Sequence, residues 1–314
     1  MADRHDPRPP AHPTVVILTA LPLEYEAVRA HLDITGALEH ESGTIVEHGR
    51  LHDAADSSWN VVVAEMGEGT ENAAAFTRHV IDWLHPEAVF FVGVAGGLKD
   101  DIGIGDVVVA TKIYAVQGGK QTPDGLLVRP DTWHPAYRLD QAARFALRGT
   151  GAHFKPVAVG AVLLADAASA FAQHINRNYN DAVAYEMEST GIAHAAHQAD
   201  VGVLIIRGIS DKANADKGAA DAFGSQPRAA AKAALAALAV VRKLQPRPAK
   251  APATPGGDGV TIGTGGTFED EVIGKDVGPG PQAAPQGPGD HVEIGRNGTF
   301  QGPVIGKRVG YSDH

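Results

Sequence analysis

The sequence has no cysteine, fewer basic than acidic residues, and no apolar run of transmembrane length. Without cysteine, disulfides, thiol catalysis and cysteine–zinc sites are excluded, which is compatible with a reducing cytoplasm. The 27 Lys and Arg residues against 37 Asp and Glu give a formal net charge of −10, which argues against nucleic acid or an anionic membrane as a partner. Residues 1–13 are polar and proline-rich with no apolar signal core, so we expect an unexported, cytoplasmic protein.

Runs with the composition of buried strands alternate with amphipathic helical patterns over most of the chain. The expected strands are residues 14–20, 60–67, 88–97, 106–116, 157–164, 182–186 and 201–210. The expected helices are residues 21–32, 71–84, 187–198 and 227–244. This alternation indicates an α/β domain with a mixed, mostly parallel central sheet.

The composition changes at Gln245, and the change predicts four segments. They are a disordered N-terminus (1–13), an α/β domain (14–244), a proline/glycine linker (245–259) and a Gly/Pro-rich C-terminal tail (260–314). The tail contains an internal repeat, because residues 260–278 align with residues 292–310 at an offset of 32.

Four polar or glycine features lie at or just after the carboxyl ends of expected strands. They are Glu24, Gly96–Gly97, Glu186–Met187–Glu188 and Ser210–Asp211. Taken singly, each is more often a helix cap, a carboxylate at a helix N-terminus or a tight turn. Together they predict a binding site, because ligands of open α/β sheets bind outside the carboxyl ends of the strands.

Separated carboxylates at one sheet edge are suited to cleavage of an N-glycosidic bond. One carboxylic acid can protonate the leaving base, a second carboxylate can orient water, and a third can hold sugar hydroxyls. This chemistry needs no cofactor and no metal. His194 and His197 form an H-x-x-H pattern on an expected helix, but without further ligands we expect partly buried structural histidines and no metal site.

Five motifs carry a resemblance to a known family. They are TALPLE (19–24), MGEGTENAA (66–74), GVAGGLKDDIGIGDVV (93–108), YEMEST (185–190) and RGISD (207–211). Over residues 14–244 the chain resembles the nucleoside phosphorylase/uridine phosphorylase superfamily, and within it the methylthioadenosine/S-adenosylhomocysteine nucleosidases and related effector domains. The resemblance implies a three-layer α/β sandwich, a purine nucleoside or nucleotide as substrate, and a homo-oligomer.

The resemblance also implies roles for individual residues. Asp211, next to Ser210, matches the acid that protonates purine N7, and Glu24 matches the carboxylate that activates water, with Glu26 as the alternative. The remaining positions would bind substrate: Glu188 and Met187 at the ribose with Glu186 beside them, the Ala95–Gly96–Gly97 turn, and Phe171 as a candidate base-stacking aromatic.

Two departures from the family pattern bear on the reaction. Gly69–Thr70 replaces the usual glycine–lysine of the second loop, and no clear phosphate-binding arginine is present in the N-terminal loops. Both favour hydrolysis, although a phosphorolytic purine nucleoside phosphorylase stays open. The segment LLADAASAF (163–171) keeps Asp166 at the position that the family pattern expects, but surrounds it with small residues.

The tail has two interpretations. Its glycines and prolines are typical of a disordered segment. Its duplication favours stacked short strands, from one chain or from many, in a β-solenoid or cross-β arrangement. The spacing of Gly-Thr-Phe, Val-Ile and Gly-Lys resembles amyloid signalling motifs of bacterial immune-type effectors and their receptors, which implies assembly with itself or with a receptor. A catalytically silent scaffold that assembles through this tail is the alternative from another class of protein.

Overall fold

The computed structural model describes residues 13–52, 59–123, 125–213 and 224–247, together with eight short strands between residues 260 and 309. The expected disordered residues 1–12 and residues 248–259 of the expected linker lie outside the described residues. The chain divides into two compact units, Met1–Pro246 and Arg247–His314.

The first unit alternates strands and helices. Its strands are β1 Thr14–Thr19, β2 Leu32–Glu39, β3 Ile45–Leu51, β4 Asn60–Glu65, β5 Ala88–Gly97, β6 Val107–Ala115, β7 Gly119–Thr122, β8 Gly125–Val128, β9 Asp131–Trp133, β10 His153–Val159, β11 Ala184–Glu186 and β12 Gly202–Asp211. Its helices are α1 Pro22–Arg29, α2 Thr70–Leu84, α3 Tyr137–Ala146, α4 Ala170–Asn178, α5 Ser189–Gln198 and α6 Ser225–Lys243. No helix in the described ranges is long and apolar enough to cross a membrane.

The central sheet is mixed, and one part of it closes on itself. The strand order is β11-β10-β6-β12-β5-β1-β4-β3-β2, with β9 added beside β6. Strand β1 pairs in parallel with β4 and β5, and β12 pairs in parallel with β5. Strand β11 pairs with β10 and also, antiparallel, with β5, so five strands form a closed ring. This closure brings the ends of β5, β11 and β12 together.

Helices cover both faces of the sheet and produce three layers. Alternate residues of β1 point to opposite faces, so Val16 and Leu18 pack with α2 and α5, whereas Val15 and Ile17 pack with α1, α3 and α6. Gly208 lets α6 lie close to the sheet, because a Cβ there would be 2.0 Å from the carbonyl oxygen of Ala229.

Several element boundaries differ from the expected ones. The helix expected over 21–32 ends at Arg29, and Leu32 begins β2, a half-exposed strand that the sequence pattern missed together with β3. The strand expected over 157–164 is His153–Val159, and the chain turns away at Gly160, where a Cβ would be 2.8 Å from the Tyr185 hydroxyl. The helix expected from Met187 begins at Ser189, so Glu188 is its N-cap residue.

The described strands of the second unit form four two-stranded parallel sheets. The strands are β13 Val260–Ile262, β14 Thr267–Phe268, β15 Val272–Ile273, β16 Asp276–Val277, β17 Val292–Ile294, β18 Thr299–Phe300, β19 Val304–Ile305 and β20 Arg308–Val309. Each strand of the first repeat pairs with its counterpart in the second, as in Val260 with Val292 and Asp276 with Arg308. The paired strands therefore bring together residues that are equivalent in the sequence repeat.

Candidate active site

The closed part of the sheet defines the position of the site. Gly96 of β5 is in register with Tyr185 of β11 and with Asp211 of β12. A Cβ at Gly96 would be 2.9 Å from Asp211 Oδ1 and 2.8 Å from the Cβ of Ala213. A glycine at position 96 is what allows the ends of these three strands to meet.

A cavity of about 210 Å³ opens at this junction. Its lining contains eight of the ten candidate residues, namely Glu24, Ala95, Gly96, Glu186, Met187, Glu188, Ser210 and Asp211. Other lining residues were not predicted as site residues; they include Leu21, Glu68, Val94, Leu163, Tyr185 and Gln226. Glu68 lies in the MGEGTENAA motif (66–74), but nothing in its spacing distinguishes it from a solvated loop residue.

Gly97 and Phe171 lie outside this lining. Gly97 pairs with Ala184, and Phe171 packs edge to face on the ring of Tyr185, with ring centroids 6.0 Å apart. Tyr185 itself lines the cavity, so Phe171 contacts a lining residue without lining the cavity. Asp166 is exposed and accepts a hydrogen bond from the backbone N–H of Ala168.

Asp211 is buried at the end of β12 and has a fixed orientation. Its Oδ1 accepts a hydrogen bond of 2.7 Å from the backbone N–H of Ala213, and its Oδ2 accepts one of 2.8 Å from the Ser210 hydroxyl. Both side chains line the cavity. A carboxyl group held in this way can exchange a proton with a ligand at a defined position.

Glu24 owes its position to the start of α1. Pro22 occupies the first turn of the helix, and Glu24 is the N3 residue, whose carboxylate returns to the main chain before the helix. Its Oε2 accepts hydrogen bonds from Ala20 N (2.9 Å) and Leu21 N (3.1 Å), while Oε1 accepts one of 2.7 Å from Val94 N. Burial raises the pKa of Glu24, although the Arg207 charge and these N–H groups oppose the rise. Glu26, the alternative candidate, is exposed.

A buried arginine joins the other carboxylates. Arg207 is 1% exposed, donates to Glu186 Oε2 through Nη2, and lies 3.9 Å from Glu188 Oε2. Its guanidinium stacks on the ring of Phe91, at 3.6 Å from the centroid. A Cβ at Gly93 would be 2.3 Å from both Arg207 Nη1 and Glu24 Oε1, so a glycine is needed for these groups to approach the strand.

Glu188 connects this cluster to the N-terminus of α2. Its Oε1 accepts a 3.1 Å hydrogen bond from Gly69 N, the N-cap residue of that helix. Burial and the neighbouring Glu186 raise the pKa of Glu188 to about 7, against the lowering effect of Arg207 and the Gly69 N–H. Gly69 has φ of 100°, a conformation that favours glycine. Glu188 therefore changes charge near neutral pH.

The H-x-x-H histidines have a different setting from the one expected. His194 and His197 are both exposed on α5, and His194 lies edge to face against Trp133 and 2.9 Å from Gln198 Nε2. Within the described residues, no group of three or more His, Asp or Glu side chains is placed to hold a metal ion.

The chain belongs to the Phosphorylase superfamily, whose family model matches residues 14–245. The 5′-methylthioadenosine/S-adenosylhomocysteine nucleosidase of Chromohalobacter salexigens is 28% identical over 209 residues, covering 63% of this chain and 83% of the relative. ATP nucleosidase Cap17 of Escherichia coli is 26% identical over 251 residues, covering 68% of this chain and 48% of the relative.

A solved structure gives the same assignment. The Neisseria meningitidis 5′-methylthioadenosine/S-adenosylhomocysteine nucleosidase in complex with methylthio-immucillin-A matches 74% of this chain and 99% of its own, with a TM-score of 0.63 and 26% identity. The family model and these relatives confirm the predicted fold class, superfamily and nucleosidase class of enzyme.

Proposed function

We propose that this protein hydrolyses the N-glycosidic bond of a purine nucleoside or nucleotide. The observation that carries the proposal is a single cavity lined by Asp211, Glu24 and Glu188, each buried and each held by main-chain N–H groups. Asp211 is the general acid, Glu24 is the general base for water, and Glu188 accepts hydrogen bonds from ribose hydroxyls.

These roles give a balanced reaction. Asp211 donates its proton to the purine as the bond between C1′ and the base nitrogen breaks, so the base leaves with the bonding electrons. Water attacks C1′ of the oxocarbenium-like sugar while Glu24 takes one of its protons. The raised pKa of Glu24 makes it a better base than an ordinary surface carboxylate. The products are a free purine and a reducing sugar.

Two observations favour water over phosphate as the nucleophile. The N-terminus of α2 can hold an anion, but its Gly69 N–H is already bonded to Glu188. The described lining of the cavity contains five carboxylates, Glu24, Glu68, Glu186, Glu188 and Asp211, and no Lys or Arg side chain. An inorganic phosphate would enter this lining against repulsion. Phosphorolysis, the reaction of a purine nucleoside phosphorylase, is the alternative.

The same charges bear on the 5′ substituent of the substrate. Relatives include enzymes named for 5′-methylthioadenosine and S-adenosylhomocysteine and one named for ATP. The acidic lining favours a substrate without phosphates at the 5′ position over a nucleoside triphosphate. An adenine nucleoside with an uncharged or zwitterionic 5′ group is therefore the proposed substrate class.

The tail supports a second part of the proposal, which concerns how the enzyme is recruited. The in-register pairing of its repeats supports an element that stacks with other tails or with a receptor, so that the nucleosidase unit acts as a recruited effector. A homo-oligomer and a cytoplasmic location are further parts of this proposal. A scaffold without catalytic activity is the alternative, and it predicts assembly without release of any base.

Chromatographic detection of free base tests the proposed activity. The purified full chain is incubated in phosphate-free buffer with 5′-methylthioadenosine, S-adenosylhomocysteine, adenosine, inosine, guanosine, AMP or ATP. We expect adenine from the first two at rates above those for AMP and ATP. If no base is released by the soluble or the assembled protein from any of the seven, the enzyme proposal is wrong and the scaffold is favoured.

A further inference from the structure

Glu68 differs from the other four carboxylates of the cavity lining because it is exposed. Glu24, Glu186, Glu188 and Asp211 are at most 7% exposed, and each accepts at least one hydrogen bond from a main-chain N–H group. Among the described residues, no hydrogen bond or ion pair engages the Glu68 carboxylate. Its negative charge is therefore available to a ligand, whereas the other four carboxylates already have partners.

The loop that carries Glu68 is fixed on both sides of this residue. Before it, the side-chain amide of Asn72 donates a hydrogen bond to the Met66 carbonyl oxygen. After it, Gly69 N donates a hydrogen bond of 3.1 Å to Glu188 Oε1. Because the backbone is already held at both points, Glu68 can contact a ligand with little further loss of loop entropy.

The bond between Gly69 and Glu188 also places Glu68 beside the sugar end of the cavity. Glu188 is the proposed ligand of the ribose hydroxyls, and Asp211 is the proposed partner of the purine. These two residues are 7% and 2% exposed, so the base and the ribose occupy the buried part of the cavity. The 5′ substituent extends from the ribose, and a long substituent can reach the exposed rim, where Glu68 lies.

We propose that Glu68 is a specificity-determining residue that selects a 5′ substituent carrying an ammonium group. An ammonium at the rim forms a charge-assisted hydrogen bond with the Glu68 carboxylate, and the other carboxylates of the lining add to the attraction. A neutral alkyl group gains neither interaction, and a phosphate is repelled. S-adenosylhomocysteine carries such an ammonium, whereas 5′-methylthioadenosine does not. The inference rests on the proposed function.

Two adenine nucleosides with 5′ substituents of equal length test this role. One is 5′-deoxy-5′-(3-aminopropylthio)adenosine, which ends in an ammonium, and the other is 5′-deoxy-5′-(butylthio)adenosine, which ends in a methyl group at the same position. We would measure kcat/KM for adenine release by the full chain at low salt in phosphate-free buffer. The ratio of the cationic to the neutral substrate is then compared between the wild type and two variants, Glu68→Gln and Glu71→Gln.

Glu71→Gln is the matched control. Glu71 is exposed in the first turn of α2 and lies outside the described lining of the cavity. Each of the two substitutions removes one negative charge from a chain with a formal net charge of −10, so the total charge changes equally. A difference between the variants therefore reports the position of Glu68.

We expect the ratio to fall about 2- to 5-fold in Glu68→Gln and to keep its wild-type value in Glu71→Gln. The effect of Glu68→Gln should shrink near 1 M salt, where the Debye length is about 3 Å. Equal ratios in the wild type and Glu68→Gln at low salt overturn the proposal. Equal falls in both variants also overturn it, because the total charge and not Glu68 would then be recognised.

A charge reversal gives a second check, since Glu68→Lys should lower the ratio further than Glu68→Gln. The absence of a further fall contradicts a direct contact between Glu68 and the ammonium. Failure of the proposed function has a different signature. No adenine from either nucleoside contradicts the hydrolysis itself, and the role of Glu68 fails with it. Adenine from both nucleosides with an unchanged ratio preserves the hydrolysis and rejects only the role of Glu68.

Discussion

Two groups of carboxylates line the same cavity and are held in different ways. Asp211 is fixed by a main-chain N–H and by the Ser210 hydroxyl. Glu24, Glu186 and Glu188 instead lie around the guanidinium of Arg207, and burial raises the pKa of Glu24 and of Glu188. The proposed acid has its own anchors, whereas the proposed base and sugar ligand share one cation. A substitution of Asp211 should therefore have a local effect, whereas a substitution near Arg207 should affect several carboxylates together.

The largest effect is expected for Asp211→Asn. The amide cannot donate the proton that the leaving purine needs, so kcat should fall by about 10²- to 10⁴-fold with little change in the melting temperature. Base release under saturating substrate, with thermal unfolding of the same sample, measures both. Asp166→Asn, at an exposed aspartate, is the control and should retain full activity. Equal losses of kcat in the two variants would contradict the role of Asp211 as the general acid.

Glu24→Gln should have the next largest effect. The amide keeps the size of the side chain but cannot accept a proton from water, so we expect kcat to fall by about 10²-fold. Glu26→Gln, two residues further along α1 and exposed, is the matched control. A loss in Glu26→Gln with normal activity in Glu24→Gln would assign the base to Glu26 instead.

Gly93→Ala tests the shared position of Glu24 and Arg207. The new Cβ would lie 2.3 Å from an atom of each, so both side chains must move. Overpacking of this kind costs about 1–3 kcal/mol of unfolding free energy, measured by urea titration. Gly36→Ala is the control, because its nearest neighbour is the end of the His48 side chain at 3.2 Å. An unchanged midpoint in Gly93→Ala would contradict the close packing of the cluster.

The smallest expected effect is a shift in a pH profile. If ionised Glu188 holds the ribose, kcat/KM should fall as the pH drops through about 7, the pKa of this group. Glu186→Gln removes the neighbouring negative charge, which lowers the pKa of Glu188. The fall in kcat/KM should therefore move to lower pH. If the fall in kcat/KM near pH 7 persists unchanged in Glu188→Gln, another group titrates there.

The same group affects stability with a defined sign. The pKa of Glu188 is raised from 4.5 in the native state, so the protonated form favours folding. Its contribution is complete below pH 4.5 and is lost as the pH rises through about 7. In Glu188→Gln this part of the pH dependence of the unfolding free energy should disappear.

The sequence predicted the parts of the fold that have strong local signals. Buried runs such as β5 and β12 were recognisable, and the polar residues at their ends lie together as expected. The pairing of β11 with β5 has no local signal, because it joins Tyr185 to Gly96 across nearly ninety residues and depends on a glycine at the contact. Strands β2 and β3 were missed because their alternating, half-exposed residues resemble loop composition.

The candidate site shows the same limit. Glu24 and Asp211 could be predicted because each lies at or just after the end of a buried strand, and Glu24 is also in the first turn of a helix that begins with a proline. The resemblance implies a base-stacking role for Phe171, but this residue packs edge to face on Tyr185 and lies outside the cavity lining. Arg207 lies in the RGISD motif, but only the folded chain places it beside Glu186 and Glu188.

The identity of the sugar product in the presence of phosphate distinguishes hydrolysis from phosphorolysis. The wild-type chain is incubated with 5′-methylthioadenosine in buffers with and without millimolar phosphate, and the sugar is analysed by chromatography and ³¹P NMR. We expect hydrolysis, with equal rates of adenine release and a free reducing sugar in both buffers. Adenine released only with phosphate, together with a sugar 1-phosphate, would contradict it and make the protein a phosphorylase.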